Sequence, residues 1–229
     1  MTSMLRGISS MATRQLLGEL AAAFERQGAV GVAIESVGGV DAAKRVQAGE
    51  PFDFVVLASD AIDKLAAGGH VVAGSKVDIV KSGVAVAVKA GAPKPDVSSE
   101  NALKRAVLDA PTLGFSTGPS GVALAKLFER WGIADRIRER IVTAPPGVPV
   151  GSLVAKGEVA LGFQQLSELI HLDGIAILGP LPQAVQIITT FSAGIVASST
   201  QREAVRALLA FMASAETTQA KRRQGMEAA

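Results

Sequence analysis

At 229 residues, 48% hydrophobic but only 4% aromatic, the chain is long enough for one large domain or two small ones and is rich in small aliphatics. Its formal charge of +2 is dispersed; Lys221-Arg222-Arg223, the one basic cluster, reads as a solvated helix end, so nucleic acid is not an expected partner. Zero cysteines exclude disulfides, thiolate metal sites and cysteine nucleophiles, and no run reaches the roughly 20 apolar residues that span a bilayer, so no membrane insertion is expected.

Met1 to Ser10 holds one Arg and no apolar run of the length a secretion signal needs. As written, the chain is expected in the cytoplasm; a chain that had lost a leader would look the same and belong in the periplasm. Residues 5–8 form a short apolar strand that runs into Ser9, Ser10 and Thr13. From there Leu16, Leu17, Leu20, Ala21 and Phe24 recur at helical spacing as far as Gly28. Arg14 falls in the first turn, where a cation opposes the helix dipole at a cost of roughly 0.3–1 kcal/mol. It is either solvated or turned toward a bound anion.

Residues 29–35 read as a second strand, followed by Ser36, Gly38, Gly39, Asp41 and a helix that closes at Gly49. Gly38 and Gly39 leave amides exposed at the helix start and permit close approach of a ligand. Residues 52–57 are a third strand, continuously apolar as in buried parallel sheets, and Ser59-Asp60 caps a helix to residue 67. Small polar residues thus recur at the carboxyl ends of successive strands, the edge at which open α/β sheets bind ligands.

Residues 77–88 are apolar with a break at Lys81-Ser82-Gly83, and Ser98-Ser99-Glu100 opens a helix to about residue 110. A strand over 112–115 then ends in Ser116-Thr117-Gly118, and Pro119 opens a helix to residue 131. Proline in the first turn lacks only an amide that would have had no partner. The amides around Gly118, Ser120 and Gly121 are left open and polarised by the dipole. With the hydroxyls of Ser116, Thr117 and Ser120, they make a cradle for an anion. The same pattern suits a plain, well-capped junction with no ligand.

Residues 143–150 are a rigid small-residue loop before a helix over 151–156, and a strand over 159–163 ends in Gln164, Gln165, Ser167 and Glu168. A strand over 174–178, a linker over 179–182, a long strand over 187–197 and helices over 201–212 and 216–224 complete the chain. A first unit, an insert and a return describe two α/β lobes joined by two crossing strands: residues 1–82 with 188–229, and residues 83–187.

Leu5-Arg-Gly-Ile-Ser-Ser10, Phe52-Asp-Phe-Val-Val-Leu-Ala-Ser-Asp60, Gly118-Pro-Ser-Gly121 and Gly162-Phe-Gln-Gln-Leu-Ser-Glu168 follow one order and spacing. In these the chain resembles, over nearly its whole length, the periplasmic molybdate-binding proteins of the type II solute-binding fold. The resemblance implies two lobes that close on an oxyanion held by serine hydroxyls and backbone amides. It places Ser9 or Ser10 at the first serine loop and Gly39 in the second, where the family usually has serine. Ser120 falls at the amide-donating helix start, and Pro146, Gly147 and Val148 lie near the next amide donor. Gln165 stands where molybdate binders commonly place tyrosine. Losing the serine and the tyrosine removes two neutral donors, Gly38-Gly39 makes room, and Gln164-Gln165 offers longer two-sided hydrogen bonding. Arg14, if inward, would grip a carboxylate. These departures suit a planar organic acid better than molybdate, although the glutamines also suit plain helix caps.

The leading expectation is therefore a small-anion binding protein, resembling the substrate-binding component of a molybdate ABC transporter, whose ligand is a molybdate-type oxyanion or small polycarboxylate. The alternative is a cytoplasmic isomerase of an unsaturated polycarboxylate, similar to aconitate isomerase-like members of this wider fold, with Glu35, Asp41 or Glu168 as the base. A cytosolic sensor domain is the third, weakened by the lack of a DNA-binding segment. No cofactor and no metal are expected: His70 and His171 lack ligand-spaced neighbours, and Gly118-Pro-Ser-Gly121 has neither dinucleotide-loop nor P-loop spacing.

Overall fold

The computed structural model describes residues 4–28, 30–145 and 147–229. The chain begins β1 (Met4–Ser10), α1 (Arg14–Arg26), β2 (Gly31–Val37), α2 (Gly39–Gln47), β3 (Phe54–Ala58), α3 (Ser59–Ala67) and β4 (Val77–Lys89). There follow α4 (Glu100–Asp109), β5 (Leu113–Phe115), α5 (Pro119–Arg130), α6 (Ala134–Ile137), β6 (Ile141–Thr143), α7 (Val150–Lys156), β7 (Leu161–Gln165), α8 (Leu166–Leu169) and β8 (Ile175–Pro180). The last elements are β9 (Ile188–Ile195), α9 (Arg202–Ala213), α10 (Thr218–Arg223) and β10 (Met226–Ala228). The chain divides into two compact units, one made of the residues up to Ser82 together with Thr189–Ala229, the other of Gly83–Ile188. Among the described residues no helix is long and apolar enough to cross a membrane.

In the first unit β2, β1 and β3 are parallel neighbours, and β9 continues the sheet antiparallel to β3. β3 is buried on both faces, as its unbroken apolar sequence requires. Phe54 and Val56 pack with Leu16, Leu17 and Leu20 of α1 and Leu208, Leu209 and Met212 of α9. Val55 and Leu57 face the other way, onto Ala42 and Val46 of α2 and Ile62 and Leu65 of α3. The acid Asp53, just ahead of β3, ties this layer together: it accepts from the Arg6 amide at 2.9 Å and the Ser199 hydroxyl at 2.7 Å.

The second unit repeats the arrangement with β6, β5 and β7 parallel and the second half of β4 antiparallel to both β7 and β8. Along β4, Val84, Val86 and Val88 join the core under α4, α5 and α6, whereas Ala85 and Ala87 pack with Leu169 on the opposite face. The alternation of valine and alanine is the period-2 signature of a strand buried on two sides by helices of unequal closeness. α7 presses on the sheet so tightly that a β-carbon on Gly162 would lie 2.4 Å from Val154.

Three expectations are corrected. The break foreseen at Lys81-Ser82-Gly83 does not interrupt β4, which runs unbroken for 13 residues because Ser82 pairs with Met226 of β10. That strand and the single turn α6 were too short for periodicity to reveal. The supposed linker at Gly179-Pro180 lies within β8. Lys221 is not solvated: helical period turns it inward to 1% exposure, where burial pushes its ammonium pKa down, while the neighbouring Arg223 pairs with Glu19.

One packing constraint is directly testable. A β-carbon on Gly121 would lie 1.6 Å from the Ser116 carbonyl oxygen, and backbone does not yield as a side chain would. Gly121→Ala should cost about 3 kcal/mol in urea unfolding. Gly18→Ala, at a helical position with nothing within 4 Å, should instead add about 0.5–1 kcal/mol.

Candidate functional site

Parallel pairing decides which residues meet. In the first unit Ser9 is level with Ser36 and with Val56, and Ser10 with Val37. The carboxyl ends of β1, β2 and β3 therefore share one edge, which gathers Ser9, Ser10, Ser36, Gly38, Gly39 and Ser59. The two adjacent serines of β1 have different fates. Ser9 is fully buried, and its hydroxyl is 2.8 Å from that of Ser36 and also donates to the Ser10 carbonyl at 3.3 Å. Ser10 is 8% exposed and its Oγ has no hydrogen-bond partner among the described residues. A buried hydroxyl without a partner costs about 1–3 kcal/mol, so this atom is either a liability or a donor held for something else.

Beside Ser10, α2 begins with no side-chain cap on its Gly38 end, and a β-carbon on Gly39 would sit 3.6 Å from that of Ser10. The first amides of α2 thus open next to the unsatisfied hydroxyl. Asp41 lies in the same first turn, with its carboxylate 3.3 Å from where a Gly38 β-carbon would stand. Arg14 is the first residue of α1, after the short turn Met11–Thr13. It is exposed and makes no hydrogen bond or ion pair among the described residues.

Glu35 is drawn elsewhere. It lies one strand residue short of the edge, level with Ile8, and Arg45 holds both its oxygens, at 2.5 and 3.0 Å. Those hydrogen bonds keep its carboxyl below the usual range, while Arg45 also grips Glu50 and lies 5.2 Å from the Phe52 ring centroid. A carboxylate locked in a guanidinium clamp is a poor proton acceptor.

In the second unit Phe115 is level with Thr143, and Gly114 with Gly162, so the carboxyl ends of β5, β6 and β7 again share an edge. Here lie Ser116, Thr117, Ser120, the loop over 144–149, and Gln164 to Glu168. Gly118 donates its amide to Ser116 Oγ at 3.3 Å, and α5 starts with Pro119 and no side-chain cap. Thr117 is exposed, and Ser120 and Gly121 are buried. Gly147 makes a turn at φ 77°, but the Val148 amide is already bonded to the Pro145 carbonyl at 3.0 Å, so the expected donor is engaged. Pro146 lies outside the described residues.

Gln164 is a brace. Its Oε1 accepts from the Gly151 amide of α7 at 3.0 Å, and its Nε2 donates to Glu168 Oε1 at 2.9 Å. Gln165, 3% exposed, is the last residue of β7 and stands level with Val84. Glu168 is pushed up to about 7 by burial, with the Gln164 hydrogen bond opposing. Burial thus moves Glu168 in the opposite direction from Glu35, whose clamp holds it low. Sequence reasoning missed the brace because one of its two partners, Gly151 of α7, lies thirteen residues upstream on a different element.

The model of the bacterial extracellular solute-binding protein family matches residues 5–227. An aconitate isomerase of a Pseudomonas species is 38% identical over 228 residues, covering 96% of this chain and 86% of that protein. Among solved structures, the periplasmic molybdate-binding protein of Azotobacter vinelandii superposes with a TM-score of 0.80 at 22% identity, covering 97% of this chain and 98% of that one. The tungstate ABC transporter protein of Geobacter sulfurreducens gives 0.76 at 18% identity, over 95% and 97%. The fold is that of the type II periplasmic binding proteins, and the chain belongs to the bacterial extracellular solute-binding protein family.

Proposed function

We propose that this protein binds a small anionic solute, a molybdate-type oxyanion or a compact polycarboxylate, and serves as the substrate-binding component of an ABC transporter. The observation that carries the reading is the buried, unpartnered Ser10 hydroxyl beside the uncapped start of α2. An anion oxygen supplies the acceptor which that hydroxyl and those amides lack. In the second unit, Ser120 and the start of α5, which has no side-chain cap, offer donors of the same kind. Neutral hydroxyls and amides bind an anion without first stripping water from a cation. The molybdate- and tungstate-binding structures that share the fold make oxyanions the first ligands to try.

The relative that is an aconitate isomerase favours a second reading, in which the bound anion is an unsaturated tricarboxylate and is also turned over. A base would take a proton from one allylic carbon and return it to the other as the double bond moves. Glu168 is the acid with a pKa suited to that exchange near neutral pH.

Thermal unfolding in the presence of molybdate, tungstate, sulfate, citrate and trans-aconitate tests binding. A ligand at a hundred times its dissociation constant adds about 2.7 kcal/mol, a shift of several degrees, and a panel without any shift would sink the reading. Ser10→Ala should weaken the best ligand at least about tenfold and leave the ligand-free protein as stable as before or more so, because an orphaned hydroxyl is gone. Equal affinity would remove Ser10 from the site. For the second reading, trans-aconitate is followed by proton NMR in D2O. Conversion with deuterium entering at carbon indicates the isomerase; binding without exchange indicates a carrier.

A further inference from the structure

The first turn of α2 brings an acceptor as well as donors to the edge of the first unit. Next to Gly39 is the buried Ser10 hydroxyl, without a partner among the described residues, its Cβ 3.6 Å from where a Gly39 β-carbon would stand. Next to Gly38 is Asp41, the third residue of the helix. Helical side chains tilt toward the helix start, and that tilt carries the Asp41 carboxylate back to Gly38. One carboxylate oxygen is 3.3 Å, and Cγ 4.0 Å, from the Gly38 β-carbon position. A methyl group on Gly38 would crowd that carboxylate; glycine leaves it room.

The ordinary partners of an acid in a first turn do not engage Asp41, which makes no hydrogen bond and no ion pair among the described residues. It does not accept the Gly38 amide as a capping box would. Lys44 and Arg45, one turn along, do not reach it: Lys44 is exposed, and Arg45 is occupied by Glu35 and Glu50. An anion drawn to Ser10 and the α2 amides therefore arrives beside an uncompensated carboxylate. If every ligand oxygen is an ionised acceptor, acceptor meets acceptor and like charge meets like charge. A hydrogen on the ligand reverses this, because the carboxylate accepts it in a charge-assisted bond about twice as strong as a neutral one. At Ser10 and the amides the same hydrogen would meet only donors, so the two surroundings sort the ligand's oxygens by whether they carry one.

We infer that Asp41 sets the ligand preference of the first unit by accepting an O–H of the bound anion, while Ser10 and the α2 amides hold its ionised oxygens. The inference rests on the proposed anion binding and narrows its ligand. The anions selected carry a hydrogen close to an ionised oxygen: hydroxy acids, or oxyanions that keep a proton near neutral pH.

Matched probes that differ in this hydrogen test the inference by isothermal titration of the whole protein at pH 7. The pairs are citrate against tricarballylate, malate against succinate, and phosphate against sulfate. Within a pair that binds, the member with the hydrogen should be tighter by at least about tenfold. Asp41→Ala should bring the two members within about twofold, mainly by improving the one without the hydrogen. Asp41→Asn keeps the shape and an acceptor but not the charge, and should retain part of the preference. Equal affinities in the native protein overturn the inference and leave anion binding standing. So does a preference that survives Asp41→Ala in full, or a loss shared alike by both members, which would make Asp41 a partner of the helix dipole only. Binding of molybdate or tungstate, with no binding of citrate, malate or phosphate, overturns the inference alone. No binding of any of these anions overturns both readings.

Discussion

The constraint on which everything else depends is the parallel register of three strands in each unit. Because β1, β2 and β3 pair as Ser9 with Ser36 and Val56, their carboxyl ends stop within about two residues of one another. Parallel strands have to be followed by crossovers, and a helix that starts directly at a strand end brings its first unbonded amides to that same edge. β3 ends at Ala58 and α3 starts at Ser59; β2 ends at Val37 and α2 starts at Gly39. Anion chemistry in this fold is thus a by-product of topology: the sheet must be buried on both faces, the crossovers must be helices, and the helix starts must converge. Side chains only adjust what the backbone already offers.

How far this was legible varied with the range of the interaction. Strands such as β3, buried on both faces, and helices such as α1 announce themselves through periodicity, and Pro119 marks a helix start by local stereochemistry alone. The choice between Ser9 and Ser10 was not local. What distinguishes them is Ser36, twenty-seven residues on, which engages the Ser9 hydroxyl, while that of Ser10 has no partner among the described residues. Glu35 looked available because its clamp, Arg45, sits on a different element ten residues away rather than one helical turn along. Lys221 was misread because composition averages over a triplet, whereas a helix turns one member of that triplet inward.

Glutamine at the end of β7 shows the same limit in a different form. Two adjacent glutamines look interchangeable in sequence, but strand alternation sends them to opposite faces. Gln164 meets the Gly151 amide and Glu168, while Gln165 stands level with Val84. Only a known fold distinguishes the brace from its neighbour. Once it does, Glu168 changes character, from an acid near a strand end to the acceptor that completes the Gln164 brace.

Engagement of this kind bears on how a site with few charges would discriminate. Of the cations nearest in sequence to the donors, Arg14 is exposed and makes no hydrogen bond or ion pair among the described residues, and Arg45 is occupied by Glu35 and Glu50. Donors that are all neutral gain little from charge attraction alone and depend on hydrogen-bond count. A ligand oxygen carrying its own proton would set donor against donor and leave one of them buried and unmet, a loss larger than the bond itself gains. Discrimination therefore follows from the pairing of hydrogens with lone pairs, and small changes in donor number change which anion fits. If, as the resemblance to molybdate binders implies, Gly39 and Gln165 stand where those proteins use serine and tyrosine, the donor count changes while the fold that presents it does not.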